Sequence, residues 1–149
     1  MSVKIYTIGG GQMSEAILRA ANKEKVITSE ETIITDISKV RTEYLEKKYG
    51  FQTSNKFDEK AVVNAEIVLL GVRPQDDWQG LVKQIGLTNT KAQIISIIAG
   101  VTLQQLQTIS ENENIKFTRI IPNTLTDTGY GYSGVALGRG ASKEIIAPF

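Results

Sequence analysis

The chain has 149 residues, a formal net charge of +1, and neither cysteine nor histidine. The two missing residue types exclude disulfides, thiolate and imidazole metal ligands, cysteine nucleophiles and histidine-based acid–base catalysis, and we expect no metal site. Hydrophobic residues make up 41% of the chain and charged residues 22%, which predicts one globular domain, and the small net charge disfavours nucleic acid as a partner.

The first predicted elements are a strand, a glycine turn and a helix. Val3–Ile8 has the composition of a buried strand, three consecutive glycines follow it, and residues 12–21 have that of a helix. This order is typical of a phosphate cradle, because Gly9 permits a sharp turn, Gly11 permits close approach of the backbone, and the helix directs free N–H groups at an anion. Ser14 takes the third position of the G-x-G-x-x-G pattern, which serves helix–strand packing. The alternative is an ordinary turn without a ligand.

A second strand and helix follow, and Asp36 ends that strand. Residues 31–36 are predicted as the strand, and Ser38 as the cap of a helix that runs to about residue 48. The apolar face of this helix is predicted from the spacing of Val40, Tyr44 and Leu45.

Asp36 lies 27 residues after Gly9, where a dinucleotide-binding unit needs a carboxylate for a ribose 2′-hydroxyl. A carboxylate there also repels a 2′-phosphate, so Asp36 favours NAD over NADP. Lys39 and Arg41 follow closely and are candidates for binding a 2′-phosphate instead. The alternative role for Asp36 is that of an exposed turn residue that acts as a cap together with Ser38.

The rest of the chain continues the alternation of strands and helices. Predicted strands cover residues 51–53, 66–72, 93–98, 116–120 and 133–137, and predicted helices cover residues 58–64, 75–84 and a segment that Thr102 caps. The run 66–72 is almost continuously apolar, as expected for a central strand covered on both faces. This order predicts an α/β fold of the Rossmann type, a doubly wound and mainly parallel sheet with helices on both faces.

Three further strand ends are predicted to face the same crevice, because ligands of doubly wound sheets bind outside the carboxyl ends of the strands. These strand ends carry Val72, Arg73 and Pro74, then Ala99 and Gly100, then Asn123 and Thr124. The amide and hydroxyl groups of the last pair suit the orientation of a nicotinamide or a small polar substrate. The alternatives are a solvated Arg73 and a simple β-turn after Pro122.

Four segments together resemble one known family. They are Ile8-Gly9-Gly10-Gly11-Gln12-Met13, Val72-Arg73-Pro74-Gln75, Ser96-Ile97-Ile98-Ala99-Gly100-Val101-Thr102 and Arg119-Ile120-Ile121-Pro122-Asn123-Thr124. Their order resembles the N-terminal cofactor-binding domain of pyrroline-5-carboxylate reductase, and the resemblance covers essentially the whole chain. The Ala-Gly-Val and Pro-Asn-Thr segments are the specific ones, since many Rossmann enzymes share the glycine turn.

The resemblance implies hydride transfer from NADH or NADPH to the C=N bond of a small cyclic imine, which gives proline. It implies a role for Asn55 at the adenosine ribose and places the Pro-Asn-Thr loop beside the nicotinamide and the substrate. No residue is identified as catalytic, and Asn123 and Thr124 are candidates for orienting substrate or nicotinamide. With these additions the predicted cofactor contacts are Gly9, Gly11, Gln12, Met13, Asp36, Asn55, Val72, Arg73, Pro74, Ala99 and Gly100.

The sequence also departs from the family. Arg73 stands where the family usually has lysine, and Leu125 stands where it usually has proline. The family's second, all-helical domain, which forms the dimer and much of the substrate pocket, is absent, so we expect one dinucleotide-binding domain over residues 1–149 that is incomplete as an enzyme. Residues 139–149 are interpreted as the first turns of a helical segment that stops early.

Two other functions stay open at this stage. One is a nucleotide-binding or sensing module without catalysis, and the other is a reductase of a sister Rossmann family, such as the hydroxyacid or coenzyme F420-type enzymes. Self-association that covers exposed apolar surface is a further open point. No apolar run approaches the roughly 20 residues that span a bilayer, and the chain starts with a strand instead of a signal segment. We therefore expect a cytoplasmic protein without membrane contact.

Overall fold

The computed structural model describes residues 3–25, 27–122 and 132–137. Within these residues the chain forms seven strands, five α-helices and a short 3-10 helix at Ser29–Glu31. The strands are β1 (Val3–Ile8), β2 (Thr32–Thr35), β3 (Gln52–Ser54), β4 (Ala65–Leu70), β5 (Gln93–Ser96), β6 (Lys116–Pro122) and β7 (Tyr132–Leu137). The helices are α1 (Gln12–Lys23), α2 (Lys39–Tyr49), α3 (Glu59–Asn64), α4 (Trp78–Gly86) and α5 (Leu103–Ser110).

The strands form one sheet in the order β3-β2-β1-β4-β5-β6-β7. β1 to β6 run parallel to their neighbours, whereas β7 pairs antiparallel with β6. The order runs outward from β1 through β2 to β3 and then restarts on the other side of β1 with β4. This is the doubly wound Rossmann order, so the predicted fold class is confirmed.

Helices cover both faces of the sheet. Residues of β4 alternate between two apolar clusters, because successive side chains of a strand point to opposite faces. Ile67 and Leu69 pack in the cluster that includes α1 and α2, while Val68 and Leu70 pack with α3, α4 and α5. The near-continuous apolar run in this part of the sequence therefore marks a central strand, as predicted.

Four helices begin at polar caps that satisfy backbone N–H groups of their first turns. Ser38, Asp58, Asp77 and Thr102 accept hydrogen bonds at the starts of α2, α3, α4 and α5. α1 differs, since its cap residue Gly11 has no side chain. The first turn of α1 therefore keeps N–H groups that no cap residue side chain occupies.

Two details of the predicted elements were wrong. The predicted apolar face of α2 is not buried as a whole: Val40 is 80% exposed and Tyr44 38%, and only Leu45 of the three packs in the core. α4 begins at Trp78 and not at residue 75, because Asp76 turns back to Arg73 and Asp77 caps the helix. In the described residues no helix is long and apolar enough to cross a membrane. The proposed tail, residues 139–149, lies outside the described residues.

Candidate functional site

Backbone hydrogen bonds continue beyond the last residues of the central strands and hold the segments that follow them close together. The N–H of Gly9 donates to Thr35 O at 2.8 Å, and the N–H of Gly71 donates to Ile8 O at 2.8 Å. Ile97 similarly donates to Leu70 O at 3.0 Å. The strand order reverses between β1 and β4, and ligands of open α/β sheets bind outside the carboxyl ends at such a point.

Gly9 makes the sharp turn out of β1. Its φ angle is +95°, and a Cβ atom there would lie 2.6 Å from the carbonyl carbon of Gly71. A side chain at residue 9 would therefore strain the backbone and also overlap the segment that follows β4. The absence of a side chain brings the ends of β1 and β4 into direct contact.

Gly11 borders open space at the start of α1. A Cβ atom added there would meet nothing within 4 Å, and its φ of −72° is one that any residue can adopt. The first helical hydrogen bond runs from the Glu15 N–H to Gly11 O at 2.9 Å, so the N–H groups of Gln12 and Met13 precede the hydrogen-bonded turn. Exposed N–H groups at the positive end of a helix dipole suit an anionic ligand.

Ser14 packs the first turn of α1 against the end of β4. It is buried, and a Cβ atom on Gly71 would lie 2.0 Å from its Oγ. Within the described part of the chain, Ser14 Oγ is one of two buried side-chain oxygens without a hydrogen-bond partner, the other being Thr7 Oγ1. The third small position of the glycine pattern thus lies in a close helix–strand contact.

Asp36 follows β2 and holds the glycine turn. Its Oδ2 accepts a hydrogen bond from the Gly10 N–H at 2.7 Å, and its Oδ1 accepts one from the Ser38 N–H at 2.8 Å. A carboxylate has about four lone-pair sites, so two contacts leave capacity for the hydroxyls of a ribose. The carboxylate also links the start of α2 to the turn after β1.

Asn55 lies directly beside Asp36. Its Nδ2 donates to the Asp36 carbonyl at 2.8 Å and is 3.2 Å from Thr42 Oγ1. The side chain is exposed, and these contacts fix the amide plane at the end of β3. The structure therefore brings together the two residues that sequence analysis assigned to the adenosine ribose.

Glu15 is the centre of a cluster that sequence analysis missed. The carboxylate accepts hydrogen bonds from Arg41 Nη2 at 2.6 Å, Tyr44 Oη at 2.8 Å and Tyr49 Oη at 2.6 Å, and Lys48 Nζ lies 3.6 Å away. Burial alone would raise the pKa of Glu15, but the hydrogen bonds from Tyr49, Tyr44 and Arg41 together lower this pKa to about 2. All four partners lie on α2, so Glu15 attaches α2 to the first turn of α1.

Arg41 also reaches the glycine turn. Its Nε donates to the carbonyl of Gly10, while Nη2 holds Glu15. Sequence analysis named Arg41 as a candidate for binding a 2′-phosphate, and the structure gives its guanidinium two partners within the chain. The signal for this cluster in the sequence was the spacing of Arg41, Tyr44 and Lys48, which places them on one face of α2.

The segment after β4 is fixed by an aspartate. Asp76 accepts from the Arg73 backbone N–H at 2.9 Å and pairs with Arg73 Nη2 at 3.3 Å. The hydrogen bond from the Arg73 N–H has the largest effect on the pKa of the Asp76 carboxyl and lowers it. Burial raises this pKa, the Arg73 guanidinium lowers it, and the net result is a pKa below the ordinary value. The Arg73 side chain is 70% exposed, and Val72 is partly buried against the core while Pro74 is exposed.

The last predicted contacts follow β5 and β6. Ala99 and Gly100 are exposed, Gly100 has a φ of +76°, and a Cβ atom on Gly100 would meet nothing within 4 Å. This turn follows β5, the strand that pairs with β4. Asn123 and Thr124 lie outside the described residues.

Comparison with known proteins identifies related sequences. A family model described as NADP oxidoreductase coenzyme F420-dependent matches residues 4–100. Among curated proteins, the pyrroline-5-carboxylate reductase of Synechocystis sp. is 35% identical over 147 residues, which are 99% of this chain and 54% of that protein. The chain spans about half the length of the curated relatives it matches. The resemblance to the N-terminal domain of pyrroline-5-carboxylate reductases is confirmed.

Solved structures show the same fold. A pyrroline-5-carboxylate reductase from Coxiella burnetii has a TM-score of 0.84 at 22% identity, with coverage of 99% of this chain and 54% of that one. A pyrroline carboxylate reductase from Plasmodium falciparum, solved with NADP bound, has a TM-score of 0.78 at 19% identity, with coverage of 97% and 52%.

Proposed function

Because the chain belongs to the family described as NADP oxidoreductase coenzyme F420-dependent, we propose that it binds a nicotinamide dinucleotide as the cofactor domain of an imine reductase of the pyrroline-5-carboxylate reductase type. One observation carries this proposal. The glycine turn lies where the strand order reverses, and the space beside Gly11 is open at the uncapped start of α1. Backbone N–H groups and a helix dipole at such a point suit a pyrophosphate.

The pyrophosphate is proposed to lie against the turn and the first residues of α1. Gly9 makes the turn, Gly11 leaves room for the phosphates, and the N–H groups of Gln12 and Met13 face the anion. Ser14 supports this placement indirectly, because it is buried and packs the first turn of α1 closely against Gly71 at the end of β4, beside the glycine turn.

The adenosine ribose is proposed to lie at Asp36 and Asn55, with a preference for NAD over NADP. The two side chains are adjacent after β2 and β3, and the Asp36 carboxylate keeps acceptor capacity beyond its two contacts. A 2′-phosphate would bring two negative charges next to this carboxylate. Of the two cations that sequence analysis named for a 2′-phosphate, Arg41 already pairs with Glu15, which further supports NAD, whereas Lys39 is exposed at the start of α2.

The nicotinamide is proposed to lie towards the segments after β4 and β5. The residues that would face it are Val72, Arg73, Pro74, Ala99 and Gly100. A bound reduced nicotinamide supplies a hydride to the imine carbon, and the nitrogen takes a proton. Asn123 and Thr124 are proposed to orient the nicotinamide or a small cyclic imine beyond β6.

Turnover is proposed to need more than this chain. The relatives are nearly twice as long, and the chain matches 54% of the Synechocystis protein. Among the described residues, none is assigned the role of donating the proton that the imine nitrogen takes up. All the contacts proposed for the described residues are contacts with the cofactor. Proline formation is thus the proposed reaction of the full assembly, with this chain as the part that binds the dinucleotide.

A reductase of a sister family is the second candidate, because the matching family model is named for coenzyme F420-dependent enzymes. A substrate screen that compares a cyclic imine, linear keto acids and oxidised coenzyme F420 as hydride acceptors from NADH or NADPH separates the two, once the remaining half of a relative is supplied as a second chain. A dinucleotide-binding module without catalysis would bind nucleotide and turn over none of these substrates.

The preference for NAD is tested by the variant Asp36→Asn. Asparagine keeps an acceptor for the Gly10 N–H but removes the negative charge, so the affinity for NADPH relative to NADH is expected to rise about tenfold, equivalent to about 1.4 kcal/mol. Titration calorimetry with both nucleotides measures the ratio. Glu66→Gln is the matched control, because it removes one exposed carboxylate near the opposite end of the sheet. An unchanged ratio in Asp36→Asn would overturn the preference and leave dinucleotide binding intact.

A further inference from the structure

Both backbone polar groups of Gly10 are held by side chains from the segment after β2. Asp36 accepts from the Gly10 N–H at 2.7 Å, and Arg41 Nε donates to the Gly10 carbonyl. Gly10 has no side chain of its own that could fix it, and a Cβ there would lie 2.8 Å from Leu45 Cδ1. The orientation of the glycine turn therefore depends on its contacts with Asp36 and Arg41.

The Arg41 contact determines where the next N–H points. The peptide between Gly10 and Gly11 is planar, and the described residues contain no cis peptide bond. In a trans peptide the carbonyl and the following N–H point in opposite directions. Since the Gly10 carbonyl faces Arg41, the Gly11 N–H faces away from it. Gly11 borders open space.

Glu15 keeps Arg41 in this position. Its side chain is 9% exposed, and it binds Arg41 Nη2 at 2.6 Å while Tyr44 and Tyr49 hold the other carboxylate oxygen. An arginine that donates through Nε and Nη2 to two acceptors is held in one plane. Lysine has a single ammonium group and lacks this planar fork, so it is not equivalent here.

We propose that Arg41, held by Glu15, is a positioning residue that fixes the Gly10–Gly11 peptide so that the Gly11 N–H points toward the dinucleotide pyrophosphate. The inference rests on the proposed function, because it concerns the same site. It also explains why Arg41 is not free for a 2′-phosphate. Arg41 itself touches the protein backbone and not the cofactor.

The variant Arg41→Met tests this role, with Lys48→Met as its matched control. Both variants remove one positive charge that Glu15 contacts, but only Arg41 reaches the glycine turn. We expect Arg41→Met to weaken NADH binding about tenfold, the effect of one hydrogen bond to a charged group. Lys48→Met is expected to stay within about twofold of the unmodified chain, and Arg41→Lys to lie between the two.

The amide signal of Gly11 in the unliganded protein gives a second readout. Loss of a hydrogen bond to the Gly10 carbonyl changes the polarisation of the same peptide, so the ¹H–¹⁵N signal of Gly11 should shift in Arg41→Met and stay in place in Lys48→Met. A variant that only loosened α2 would shift both alike. If Arg41→Met does not fold, Glu15→Gln, which removes the negative charge that holds Arg41 without a change of size, is expected to move the Gly11 signal and weaken NADH binding.

Several outcomes would overturn the positioning role. The first is equal NADH affinity in the Arg41→Met and Lys48→Met variants. The second is a Gly11 signal that does not move in Arg41→Met. The third is an NADH affinity equal to that of the unmodified chain in both Arg41→Lys and Arg41→Met. An unmodified chain that binds neither NADH nor NADPH would instead overturn the proposed function, so the two failures are distinguishable.

Discussion

Gly9 and Gly11 are both glycine in the structure, but for different physical reasons. Gly9 has a φ of +95°, and its missing Cβ makes room for the backbone at Gly71. Gly11 has an ordinary φ of −72° and borders open space. The first position serves the fold, whereas the second leaves room at the start of α1.

The variants Gly9→Ala and Gly11→Ala should therefore behave differently. Gly9→Ala is expected to lower the free energy of unfolding by about 3 kcal/mol, through left-handed strain and overlap with Gly71. Gly11→Ala should cost less than about 1 kcal/mol of stability but weaken NADH binding at least about tenfold, because the added methyl group fills the open space. Urea unfolding and NADH titration measure both quantities. Equal stability losses in the two variants would contradict this distinction.

At the scale of elements, the fold was predictable because local signals agreed with the packing. The apolar run at β4, the glycine turn after β1 and the cap at Thr102 all lie where the pattern predicted them. α2 was predictable as a helix but not in its orientation. Val40 is exposed, and the helix is attached through polar contacts to Glu15, which no apolar spacing reveals.

The positions of the candidate site residues in the fold were predictable to the same extent. Asp36 was predicted at the end of the second strand, and in the structure it directly follows β2. Asn55 lies beside it and donates to its carbonyl. The partners of Arg41 were not predictable, because Gly10 and Glu15 lie 31 and 26 residues away in sequence. Contacts between elements of this kind depend on the relative placement of α1 and α2, which single-sequence patterns do not contain.

The Glu15 cluster predicts a specific pH dependence for the attachment of α2. The pKa of Glu15 is about 2 in the folded chain against an ordinary 4.5, so the carboxylate contributes stability above pH 4.5 that is lost as pH falls towards 2. Glu15→Gln is expected to be less stable than the unmodified chain by about 2 kcal/mol near pH 7. This difference should narrow below pH 4.5 and close near pH 2.

Thermal or urea unfolding of both proteins between pH 2 and pH 8 measures that difference. Glu66→Gln is the control, because Glu66 is 64% exposed and its contact with Lys4 Nζ at 3.8 Å is long, so little change in stability is expected. A gap between Glu15→Gln and the unmodified chain that is as large at pH 2.5 as at pH 7 would contradict an ionised Glu15 as its cause.

At the scale of the whole molecule, the chain contains the crevice of a dinucleotide-binding unit and about half the length of its relatives. Six parallel strands align their carboxyl ends, and the segments after β1, β2, β3, β4 and β5 carry the proposed contacts. Two properties are therefore expected to be separable. Binding of the dinucleotide should belong to this chain, whereas turnover of an imine should need the other half.

Calorimetric titration of the purified chain with NADH tests the central claim most directly. The predicted result is a saturable heat with one NADH per chain and a Kd below about 1 mM. The same titration of Gly11→Ala should give a much weaker signal, with a stability loss below about 1 kcal/mol. Absence of heat from both NADH and NADPH up to about 1 mM, in a chain shown to be folded, would contradict the account.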